Sequence, residues 1–127
     1  MKFDLNCVRQ ILLTIEAQDA PLRMFPQKFC ELIPDYDDKE IEYCCRRLNE
    51  ANFLNLFFFQ SCGKPEDEIQ LICDLTFQGH QFLESIRDNS NWNKILEACK
   101  KVGAFSIPIV SQIAVKVAQA NINTLFT

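Results

Sequence analysis

The chain has 127 residues, 48% hydrophobic and 24% charged, an ordinary balance for one globular domain able to bury its own core. Seventeen acidic side chains against thirteen basic ones give a net charge of −4, which rules out a generally basic surface for polyanions while leaving local basic patches open. Seven cysteines, odd in number and without a Cys-x-x-Cys pair, speak against a disulfide framework and read as buried, reduced thiols; zinc held by Cys62, Cys73 and His80 lacks the usual chelate spacing. Charges at Lys2, Asp4 and Arg9 interrupt any signal-peptide core, so the expected compartment is the cytoplasm.

In chain order, Asp4 can cap a first helix in which Leu5, Val8, Leu12 and Ile15 follow a three-four spacing, and Asp19-Ala20-Pro21 ends it. Pro21 and Pro26 enforce a break. Between Pro26 and Pro34 the short segment 27–33 is expected as a strand that pairs with the later ribbon, with a helical turn as its competitor. Asp37 then caps a helix running to Ala51, with Glu40 reaching back in a capping box and Ile41, Cys44, Cys45, Leu48 and Ala51 on its buried face. Asn52 can accept the positive φ that ends it.

A two-stranded ribbon follows over 53–60 and 68–75. In the second strand residues 69, 71, 73 and 75 are apolar, a period of two that marks one buried face. In the first, Leu54, Leu56 and Phe58 share one face and Phe53, Phe57 and Phe59 the other, so the strand is either covered on both sides or shows aromatic surface to solvent. Ser61 to Asp67, with Gly63 and Pro65, is the turn between them. Thr76 fits the cap of the next helix, with Phe82, Leu83 and Ile86 inward. Asn89-Ser90-Asn91 opens another over Trp92 to Lys101, with Trp92, Ile95, Leu96 and Cys99 on one side and Gly103 as stop signal.

The last helix, capped by Ser106 with Pro108 in its first turn, reaches about Leu125 and carries Lys116 as its one charge. Apolar residues surround most of it. Ser111, Gln112, Lys116, Gln119, Asn121 and Asn123 interrupt any membrane-length run, so burial between two subunits is expected, with Val110, Ile113, Ala114, Val117, Ile122 and Leu125 at a homodimer interface and no membrane partner.

These elements predict an α+β fold: a winged helix-turn-helix over residues 1–88 in the order helix, short strand, helix, strand, strand, helix. Two further helices over 89–127 form a C-terminal extension packed on it or on a second subunit. The run Leu75-Thr76-Phe77-Gln78-Gly79-His80-Gln81-Phe82-Leu83, followed by Ile86-Arg87-Asp88 and Trp92, resembles the signature of a small bacterial and bacteriophage-associated family catalogued as domain of unknown function 2513. The opening Met1-Lys2-Phe3-Asp4-Leu5 through Ile15-Glu16 is similar to it too. The resemblance implies the winged-helix shape and no reaction.

Two functional readings stay open. A phage- or prophage-associated regulator would set the 38–51 helix in the major groove of double-stranded DNA, with Lys39, Arg46 and Arg47 on the helix and Lys64 on the wing meeting phosphates. Asp35, Asp37, Asp38, Glu40 and Glu42 crowd that helix start and would repel them, though an acidic first turn also serves capping and the helix dipole. The alternative is a protein-binding module that modulates its partner through Phe57-Phe58-Phe59 and the C-terminal helix. An enzyme is not expected. His80 follows Gly79 at a helix start, the acidic cluster lacks the spacing of a calcium loop, and Gly63, Gly79 and Gly103 form no phosphate loop, so no catalytic residue, metal or cofactor is assigned.

Overall fold

A computed structural model of the chain describes residues 3–19, 21–60, 62–63 and 67–126. Helix α1 (Leu5–Glu16) begins where the Asp4 carboxylate accepts the amides of Asn6 and Cys7, and it buries Leu5, Cys7, Val8, Ile11, Leu12 and Ile15. A two-residue strand β1 (Arg23–Met24) follows, then a short helix α2 (Pro26–Glu31). The expected strand over 27–33 is therefore corrected to a helix, and the strand lies just before it. Pro26 explains the switch: its fixed φ suits the first turn of a helix, and Phe29, Cys30 and Ile33 then fall together in the core.

Helix α3 (Asp38–Glu50) buries Ile41, Cys44, Cys45 and Leu48 as its spacing predicts. The expected capping box does not form. Asp37 holds the N-cap backbone conformation and gives its carbonyl to the Ile41 amide, but its side chain makes no cap bond. Asn52 leaves the helix at φ 65°, among the described residues the one non-glycine with positive φ, and the Phe53 amide turns back to the Leu48 carbonyl.

Strands β2 (Leu54–Phe59) and β3 (Glu68–Leu75) form the expected antiparallel hairpin, and β1 pairs with the other edge of β3, giving the order β1-β3-β2. Leu54 faces Leu75, Leu56 faces Ile72 and Phe58 faces Ile69, so β3 gains an extra residue at two points along β2. Those irregularities break the simple alternation: Ile69, Ile72, Cys73 and Leu75 are buried, and Leu71 is left half-buried. Helix α4 (Phe77–Ile86) is capped by Thr76, α5 (Asn89–Val102) by Asp88, and α6 (Ile107–Leu125) follows Ser106, whose side chain makes no cap bond. Helix α5 starts three residues earlier than expected because the Asp88 carboxylate accepts the Asn91 amide, and it ends at Gly103 with φ 76°. The described residues thus form an α+β fold of six helices and one three-stranded sheet. One apolar cluster runs through it from Leu5 to Ala114, and among the described residues no helix is long and apolar enough to cross a membrane.

Candidate functional site

The most motif-like stretch of the sequence builds a joint. The Thr76 hydroxyl accepts the Gly79 amide at 3.0 Å, capping α4, and donates to the Asn52 carbonyl at 2.5 Å, while the Thr76 amide donates to the Phe53 carbonyl at 3.1 Å. Residue 79 lies so close to that strand entrance that a Cβ there would sit 2.0 Å from the Phe53 oxygen. Phe53 stacks on Phe82 at 5.0 Å, fixing α4 against the ribbon. His80 is exposed, with its amide bonded to the Thr76 carbonyl. The chemistry of this stretch is capping and close packing.

The basic residues of α3 are engaged within the chain. Arg46 donates to Glu42 at 3.2 Å and to the Asp67 carbonyl at 2.9 Å, with its guanidinium 5.7 Å from the Phe58 ring centre. Arg47 pairs with Glu50 at 2.7 Å and lies over Tyr43. Lys39 is exposed in the first turn, among Asp35, Asp37 and Asp38, which are exposed as well. Lys64, the expected wing contact, lies outside the described residues. The four residues thus supply one free-standing cation on the described part of the α3 face.

The ribbon presents the opposite chemistry. Phe57, Phe58 and Phe59 are 50%, 38% and 42% exposed, so of the two sequence alternatives the aromatic surface is the one realised. Arg23 covers part of Phe57, at 5.4 Å. Phe59 also borders a cavity of about 800 Å³ between the start of α2, the first turn of α3 and the outer half of β3. Its apolar lining is Phe25, Cys30, Ile41, Ile69 and Ile72, and its charged lining is Asp38, Glu42 and Glu68. Burial, then the carboxylates of Asp38 and Glu42, push the Cys30 thiol up to about 11. Two carboxylates of α3 thus stand near the thiol at the floor of the cavity. Sequence reading missed this site because three separate elements build it; the signal that could have revealed it was Pro26, which stops β1 short.

Cys7, Cys30, Cys44, Cys45, Cys73 and Cys99 are buried free thiols, and Cys62 is exposed. Burial raises Cys45, Cys73 and Cys99, and a hydrogen bond with Cys44 followed by burial raises Cys7, so these thiols stay protonated at neutral pH. No cluster of metal-ligating side chains occurs among the described residues. Of the expected interface on α6, Val110 and Ala114 are buried in the chain's own core, Ile113 and Val117 pack partly against it, and Ile122 and Leu125 are exposed. Val110 and Ala114 are accordingly removed from any contact with a second copy. The first half of the helix finds its cover on α4 and α5.

Residues 2–106 match the family described as Hypothetical protein (DUF2513). A protein of Haemophilus influenzae, described as an uncharacterized protein, is 28% identical over 117 residues, covering 90% of this chain and 92% of its own length. No solved structure matches. The chain belongs to the DUF2513 family.

Proposed function

We propose that this family member is a winged helix-turn-helix module that binds a protein partner through its ribbon, without catalysing a reaction. Support for the winged-helix reading comes from the succession α1, β1, α2, α3, β2, β3 with the sheet order β1-β3-β2, in which α2 and α3 form the helix pair and the β2-β3 turn the wing. The observation that carries the protein-binding reading is the exposed run Phe57-Phe58-Phe59 on the edge strand β2, a strand without charge or proline to discourage contact. A nucleic-acid role is weaker because Arg46 and Arg47 already hold carboxylates, and a phosphate would have to displace them. The test pairs affinity capture with the full-length protein and its F57S/F58S variant against a mobility shift on duplex DNA at two salt concentrations. Loss of a captured partner in the variant, with no salt-sensitive DNA complex, is expected. A DNA complex that weakens steeply with salt and disappears on R46E/R47E would replace this reading with the regulator.

Self-association belongs to the same proposal in a narrower form. Ile122, Leu125 and Phe126, exposed by 47%, 81% and 85% at the end of α6, are the residues a second copy would cover. Light scattering on the full chain and on I122D/L125D tests it, with a dimer expected for the first and a monomer for the second. A monomeric full-length chain removes the idea.

A further inference from the structure

Strand β1 stops at Met24, which pairs with Ile72, and continuing that register would set Phe25 against Leu71 and Pro26 against Gln70. Pro26 has no amide to donate and turns the chain into α2. Residues 69–71 of β3 consequently have β2 on one side and, among the described residues, no strand on the other. The cavity bordered by Phe25, Asp38, Glu42 and Phe59 lies beside this stretch. A partly apolar groove, an unextended sheet edge and a charged lining of one sign occur together.

Resting on the protein-binding reading above, we propose that this groove captures an extended segment of the partner in which basic and apolar side chains alternate. The segment continues the line of β1 and adds to β3 at residues 69–71. Main-chain hydrogen bonds to the strand edge supply affinity, and the side-chain period of two sends every second residue into the groove while its neighbours point away. Apolar side chains enter between Phe25 and Phe59, over Ile41 and Ile69. Lysine or arginine on the segment meets Asp38 and Glu42. The charge argument selects the occupant, since an acidic segment would bring like charge to Asp38 and Glu42, and a nucleic-acid strand would bring phosphates to them. Glu42 already accepts from Arg46, so one further cation is enough to match the Asp38 and Glu42 carboxylates.

The experiment is a selection from a random linear peptide library with the full-length protein, followed by amide exchange on the complex with a selected peptide. Enriched peptides should alternate Lys or Arg with apolar residues, slow exchange across 69–71, and bind about tenfold more weakly to D38K/E42K. D38N/E42Q, which keeps side-chain size, should show a smaller loss and guards against an unfolded charge-reversal variant. Failure to enrich any peptide, enrichment without basic residues, unchanged affinity for both variants, or unaltered exchange at 69–71 would each overturn the proposal. The two readings separate cleanly. If F57S/F58S loses the captured partner and D38K/E42K keeps it, the groove proposal falls and the ribbon reading stands; if neither variant loses it, both fall.

Discussion

A single methyl group at residue 79 would collide with the carbonyl of Phe53, so the glycine in the Leu-Thr-x-x-Gly-His run is there for space and not for a positive φ. The neighbouring atom is backbone and cannot rotate away. Gly79→Ala should therefore cost about 3 kcal/mol in chemical denaturation, at the upper end of ordinary overpacking. Thr76→Ala should cost roughly 1–2 kcal/mol, because the hydroxyl both caps α4 and bonds the Asn52 carbonyl. The thiols give a separate check at this scale. Native protein treated with iodoacetamide at neutral pH should be modified at Cys62, and unfolded protein at all seven cysteines, read by mass spectrometry. Rapid native labelling of Cys30, whose thiol is held up at about 11, would show that the cavity floor is open.

Between elements, a pH-sensitive link joins the last turn of α1 to the end of α4. Arg87 makes a two-pronged contact with Glu16, whose second oxygen lies at 2.7 Å, and also reaches Glu84. The hydrogen bond from Arg87 holds the Glu16 carboxyl below its ordinary value of 4.5. A depressed carboxylate stabilises the fold fully above that ordinary value, and the contribution is lost as pH falls through the lower folded value. With the two side chains 30% and 44% exposed, solvent screening limits the effect to about 0.5 kcal/mol. Glu16→Gln should remove it, so wild type and variant should differ at pH 7 and converge in strong acid. A difference that persists at the lowest pH would show that packing, not charge, links the two helices. Elements were legible where they were long enough to show a period: α1 follows from its spacing and the Asp4 cap, and α3, the hairpin and α6 from spacing, while the side-chain caps expected at Asp37 and Ser106 do not form. The 23–31 stretch was not, since two strand residues and six helical ones are too few to display either period, and the extra residues on β3 depend on its pairing with β2. The exposed phenylalanines were legible as one of two outcomes. The groove was not, because Phe25, Asp38 and Phe59 meet only through tertiary packing.

For the whole molecule, the boundary at residue 88 divides the sequence but not the core. Arg9 donates to the Ile86 and Arg87 carbonyls and to Asn89, the Trp92 indole donates to Asn6, and Trp92, Ile95, Cys99, Ile107, Val110 and Ala114 belong to the same apolar cluster as α1. A chain ending at Asp88 should accordingly lose its cooperative thermal transition. One ending at Asn121, which keeps the Asn121 to Asn91 bond and every buried residue of α6, should retain it. The long-range bonds of α1 span 71 to 86 residues, and this has a meaning for synthesis on the ribosome. A twelve-residue helix is marginal by itself in water, so α1, which α3 can cover early, gains its hydrogen-bonded partners only once residues 86–92 have been translated. Nascent chains stalled before Trp92 should be digested readily by protease, and those stalled well beyond Ala114 should resist it. Until then α1 waits on residues made well after it, and the growing polypeptide exposes apolar surface that a chaperone would be expected to hold.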